Sequence, residues 1–118
     1  MQKFKFEKLR VWQDALEYAN DIHLMTRDFP KEELYILTSQ IKRAADSIVL
    51  NIAEGSTGQS DSQFSQFLGY AIRSGVEVVA CLHLSKKRDI ITQEAFEKLY
   101  NEAHKLLRSI QALRKTLK

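Results

Sequence analysis

The sequence predicts an all-α protein, an antiparallel up-down-up-down four-helix bundle. Apolar residues recur at three- and four-residue spacing along four stretches of about 22 to 25 residues, each roughly 33 to 38 Å long as a helix. One Pro and four Gly in 118 residues leave little of the punctuation that a sheet protein needs. The links between the stretches are short, which makes consecutive helices antiparallel neighbours. Hydrophobic residues at 44% and charged residues at 28% fall in the globular range, and the length suits one domain spanning residues 1–118 with a single core.

The first helix is expected over residues 7–28. Leu9, Trp12, Leu16, Ala19, Ile22 and Met25 or Thr26 follow the helical rhythm, and Phe29-Pro30 ends it because the residue before Pro is driven out of the helical region. Phe4 and Phe6 form a short apolar arm that packs on the bundle end or reaches a neighbouring subunit. The second helix is expected over 31–54, with Pro30 tolerated at its start and Glu32 and Glu33 complementing the positive end of its dipole. Its stripe is Leu34, Leu37, Ile41, Ala45, Ile48 and Ile52, and Gly55 suits a left-handed cap. After the link GSTGQ, Ser60 and Gln63 have capping-box spacing and open a third helix over 61–86. Thr92 caps a fourth over 92–116, whose stripe runs Phe96, Leu99, Ala103, Leu106, Ile110 and Leu113.

The second helix carries a second stripe. Gln40, Arg43, Ser47, Asn51 and Glu54 repeat at the same spacing beside the apolar one, where a solvated back needs only interchangeable Lys and Glu. With antiparallel neighbours, Arg43 and Ser47 come level with Ser74 and Glu77 of the third helix. An Arg43–Glu77 pair flanked by Gln40 and Asn51 then forms a polar layer, which acts as a structural lock or a subunit interface.

Chemistry of other kinds finds little support. His23, His83 and His104 fall on three helices without the Glu-x-x-His pairs of metal-binding bundles, so neither metal nor cofactor is expected. Cys81 lies beside an apolar stripe with no base near it in sequence; it cannot form an internal disulfide and fits a reducing cytoplasm. Gly55-Ser56-Thr57-Gly58 lacks the preceding strand and the Lys of a nucleotide loop. No catalytic residue is assigned and no enzyme is expected. No membrane span is expected from the apolar runs, and MQKFKFEKLR lacks the apolar core of a secretory signal.

Charge is uneven. Residues 1–85 hold 9 Lys/Arg and 11 Asp/Glu, net −2, whereas residues 86–118 hold 9 and 4, net +5. A nucleic-acid surface is therefore expected on Lys86, Lys87, Arg88, Lys98, Lys105, Arg108, Arg114 and Lys115. The alternative is a protein-interaction scaffold that binds no nucleic acid.

The segments FPKEELY (Phe29–Tyr35), QIKRAADSIVLNIAEG (Gln40–Gly55) and SQFLGYA (Ser65–Ala71), with the Ser74/Glu77 pair, resemble the 23S rRNA intervening-sequence protein family from about Phe6 to Leu113. That family is similar to the accessory protein of diversity-generating retroelements, a pentameric barrel with a basic nucleic-acid-binding surface. The resemblance implies a cytoplasmic bacterial homo-oligomer, a pentamer, whose activity is binding RNA or DNA. The chain departs from the pattern at Ile36, where the family has Gly, and at Gly58-Gln59, where it carries an Arg. It departs again at Arg73-Ser74-Gly75, where Gly-Ser-Leu is typical.

Overall fold

The structure, a computed structural model, describes residues 1–58 and 60–117, so Gln59 of the expected GSTGQ link lies outside the described residues. The described residues form four α-helices and no strand: α1 (Arg10–Thr26), α2 (Ser39–Ser56), α3 (Asp61–Lys87) and α4 (Gln93–Lys115). α2 packs on α1 and α3, and α4 packs on α3 and α1. The 27 residues of α3 rise about 40 Å, which accounts for the 43 Å long axis of the molecule. Its centre is a layer of fully buried Ile22, Ile41, Ile48, Ile52, Leu68, Leu82 and Ile110.

α1 is rotated from the expected stripe. Val11, Ala15, Tyr18, Ala19, Ile22 and Thr26 are buried, while Leu16 is 48% exposed. Both stripes contain Ala19 and Ile22, so spacing alone does not choose between them. Tyr18 marks the buried one, because its hydroxyl donates to the Leu99 carbonyl of α4 at 2.9 Å. The helix starts at Arg10, not Glu7, since Lys5–Lys8 form a separate 3₁₀ turn. That turn lays the Phe6 ring edge-on to Trp12 at 4.8 Å, so the apolar arm folds onto its own chain.

α2 starts at Ser39, eight residues later than expected. Lys31–Glu33 form a 3₁₀ turn and Leu34–Thr38 a π turn. The wider π turn resets the phase of the apolar stripe, leaving Leu34 exposed while Leu37 is buried. Gly55 is likewise not a left-handed cap: α2 continues to Ser56 and no Gly among the described residues has positive φ. Gly55 is required by close approach instead. A Cβ placed there would lie 2.6 Å from Cβ of Phe67, an atom fixed to the α3 backbone.

Ser60 caps α3 by accepting from the Gln63 N–H, and Thr92 caps α4 by accepting from the Ala95 N–H. Between them, Asp89 takes φ 57° at the end of α3, with Ile90 N–H donating to the Ser85 carbonyl and Asp89 N–H to that of Lys86. This is a Schellman ending carried by Asp, a residue that tolerates the left-handed region, in place of Gly.

Candidate functional site

The polar stripe of α2 faces α3 across a groove of about 300 Å³ lined by Tyr35, Ile36, Gln40, Arg43, Ser47 and Glu77. Two hydrogen-bonded groups bridge the helices. Asn51 donates to the carbonyl and the hydroxyl of Ser47, and Ser74 of α3 donates to the same Ser47 hydroxyl at 2.8 Å. Further along, Gln40 donates to a Glu77 carboxylate oxygen at 2.7 Å. The expected Arg43–Glu77 pair does not form; the shorter amide occupies the carboxylate, and Arg43 stands exposed at the groove with no ion pair among the described residues. Glu54 is exposed too, contributing only its carbonyl, to Thr57. Tyr35 and Ile36 rim the groove 90% and 60% exposed, an unusual position for an aromatic and a β-branched side chain.

The eight cations do not form one surface. Arg88 is paired with Glu33 at 3.2 Å, and Arg114 donates to Ser65 and lies against Gly69. Lys105 lines a groove of about 320 Å³ between α1 and α4 together with Asp14, Glu17, Asp21 and Glu102. Lys98 lines the neighbouring cavity with Asp21 and Asp28. Burial, with the Glu102 and Asp21 carboxylates adding to it, pushes the Tyr18 hydroxyl of this groove far above its ordinary range. One Glu102 oxygen is buried there without a hydrogen-bond partner among the described residues. Lys87, Arg108 and Lys115 remain exposed and outside any ion pair among the described residues, and Lys86 is half-buried.

The 23S rRNA-intervening sequence protein family matches residues 7–112. The chain belongs to this family. A solved structure from Bacteroides thetaiotaomicron, of a protein with unknown function from the S23 ribosomal protein family, is similar to it at a TM-score of 0.80 and 25% identity. That match covers 89% of this chain and 98% of the other. No curated protein matches.

Several of the residues that carry the resemblance to the 23S rRNA-intervening sequence protein family line the α2–α3 groove: Tyr35 from the FPKEELY segment, Gln40, Arg43 and Ser47 from α2, and Glu77 from α3. The Ile36 departure sits on its rim. Sequence reading missed a second constellation. His83, Phe96, Tyr100 and His104 form a run of ring contacts across α3 and α4, although Tyr100 reads as isolated in the sequence. The spacing 96, 100, 104 was the available signal, since residues four apart share a helix face. Among the described residues no three His, Cys, Asp or Glu side chains converge as a metal site would require. Burial, then Glu77, raises the Cys81 thiol above its ordinary range and disfavours a thiolate. Among the described residues, α3 alone is long and apolar enough to cross a membrane; it packs here on α2 and α4.

Proposed function

We propose that the protein is a non-enzymatic homo-oligomer of up-down-up-down antiparallel four-helix bundles that binds RNA or DNA through its α3–α4 face. The contacts behind the topology run in opposite numerical directions: Gly55 to Phe67, Ser47 to Ser74 and Gln40 to Glu77 between α2 and α3, then Gly75 to Leu107 and Gly69 to Arg114 between α3 and α4. The observation that carries the binding reading is the set of cations that are exposed and outside any ion pair among the described residues along α3 and α4, Lys87 at the end of α3 and Arg108 and Lys115 on α4. Phosphate contacts of this kind supply sequence-independent affinity and make it fall with salt.

The oligomer rests on exposed apolar surface. Tyr35 and Ile36 flank the α2–α3 groove, and α3 exposes Tyr70, Val76 and Leu84. Buried against a second copy, the groove joins Arg43, which has no ion pair among the described residues, to that copy, which suits a subunit interface; the family resemblance supports a pentamer in the bacterial cytoplasm. A relation to the retroelement accessory proteins belongs to the same reading. A protein-interaction scaffold is the second reading, favoured by the engagement of Arg88 with Glu33 and of Arg114 with Ser65.

The test is fluorescence anisotropy with a structured RNA and a duplex DNA at low salt, beside light scattering at micromolar concentration. Binding that is lost in Lys87→Glu/Arg108→Glu supports the proposal. An oligomer that binds neither probe leaves the scaffold reading, and a monomer defeats both.

A further inference from the structure

Resting on that reading, we infer that the α3–α4 face takes unpaired nucleobases, using the His83–Phe96–Tyr100–His104 ladder as a stacking platform. Its rings are in continuous contact: His83 meets Phe96 edge-on at 5.0 Å and 64°, Phe96 stacks on Tyr100 at 5.4 Å and 26°, and Tyr100 meets His104 edge-on at 4.9 Å and 71°. The core of α4 is Leu99, Ala103, Leu106 and Ile110, so the ladder lies to one side of the buried stripe. His83 and His104 are exposed, and Phe96 and Tyr100 are half-buried, which leaves a wet aromatic edge. Exposed Lys87 stands one turn beyond His83, and exposed Arg108 one turn beyond His104.

With helices running in opposite directions, those two cations bracket the ladder. From Phe96 to His104 the helix rises about 12 Å, room for about three bases at a 3.4 Å stacking repeat. The acid on this side, Glu97, is held by Gln93 at 3.2 Å. Cations spaced along a strand of aromatic faces suit a single strand, whose phosphates meet the charges while its bases meet the rings. A duplex meets only the charges, because its base faces are already stacked. Base–aromatic stacking tolerates any sequence, so the ligand class is unpaired nucleic acid of either sugar.

The experiment compares labelled 12-nucleotide oligo-U RNA, oligo-dT DNA, an abasic strand of equal charge in each sugar series, and a hairpin duplex. The expected result is that oligo-U, oligo-dT or both bind about tenfold tighter than their abasic counterparts. Tyr100→Leu, which keeps the apolar volume, and His104→Ala, at an exposed position, each shrink that margin and leave abasic affinity unchanged. The helical circular dichroism of both variants is expected to match the parent. If based and abasic strands bind alike, or if the margin survives both variants, the platform is overturned while the phosphate reading stands. If no probe binds at low salt, both readings fall.

Discussion

Helix α4 turns two different chemistries toward its two neighbours. Toward α1 it closes a groove in which Lys105 stands among Asp14, Glu17, Asp21 and Glu102. Toward α3 it carries the aromatic ladder, continued by exposed Arg108, with Lys87 across the seam. Both sides come from the segment whose net charge is +5. A cation's field at the surface is set by what surrounds it within a few ångströms, not by the chain average. Lys105 shares its groove with four carboxylates, whereas Arg108 follows the aromatic ladder.

The comparison breaks most readily by exchanging charge on the two sides. Lys87→Glu/Arg108→Glu is expected to weaken binding to duplex DNA at least tenfold, whereas Lys98→Glu/Lys105→Glu changes it by less than about threefold, as for cations away from phosphate. Anisotropy titrations at one fixed salt concentration measure both, and equal losses would erase the distinction between the faces.

A second prediction concerns the frame that holds the faces in place. Gly55→Ala is expected to destabilise the fold by about 1–3 kcal/mol, because its new methyl meets Cβ of Phe67 and one helix must move away. Gly75 differs. A methyl there meets the far end of the Leu107 side chain, which another rotamer can withdraw, so Gly75→Ala costs less. Urea unfolding of the two variants ranks them, and an equal or reversed order would contradict the packing account.

The acidic groove has its own signature. Replacing Tyr18 by Phe removes the hydrogen bond to Leu99 and is expected to cost about 1 kcal/mol at pH 7. The folded-state pKa of Tyr18 is raised, so the stability it confers is complete below its unfolded value near 10.0 and is lost as pH rises past it. The parent therefore loses more stability than the Phe variant between neutral pH and pH 11, and thermal melts across that range read the narrowing gap. A constant gap would mean that Tyr18 ionises as easily folded as unfolded. Smallest of all, Arg43→Ala is expected to leave the fold's stability within about 0.5 kcal/mol, as exposed positions do, while lowering the oligomer's molar mass by light scattering. Unchanged mass would detach the α2–α3 groove from assembly.

Much of the frame was legible in the sequence. Ser60 and Thr92 announce helix starts by hydroxyl chemistry that acts within one turn, so local sequence suffices. Ile41, Ala45, Ile48 and Ile52 are all buried, because one uninterrupted α-helix preserves its phase. Phase was lost where the chain departs from α geometry: the π turn over Leu34–Thr38 exposes Leu34, and no residue pattern in FPKEELY signals that turn. α1 offered two stripes sharing Ala19 and Ile22, and only the position of the Leu99 carbonyl decides for Tyr18. Gly55 was legible as special but for the wrong reason, since a cap and a close approach both exclude a side chain.

The site was less legible than the frame. Ser47 to Ser74 and Gln40 to Glu77 hydrogen bonds join α2 and α3, yet which side chain reaches Glu77 depends on reach and rotamer. The eight cations of the C-terminal third have different surroundings, because charges add along a sequence but act in three dimensions. Asp14, Glu17 and Asp21, nearly ninety residues away in sequence, line the same groove as Lys105.

The most direct measurement is the salt dependence of duplex DNA binding for the parent and for the two charge-exchanged proteins. The parent's log affinity is expected to fall linearly with log salt. Loss of Lys87 and Arg108 as phosphate contacts should flatten that slope by about two units, at roughly 0.9 per contact, and Lys98→Glu/Lys105→Glu should leave it unchanged. A slope that flattens equally in both proteins, or flattens only with the groove pair, would contradict the assignment of phosphate to the α3–α4 face.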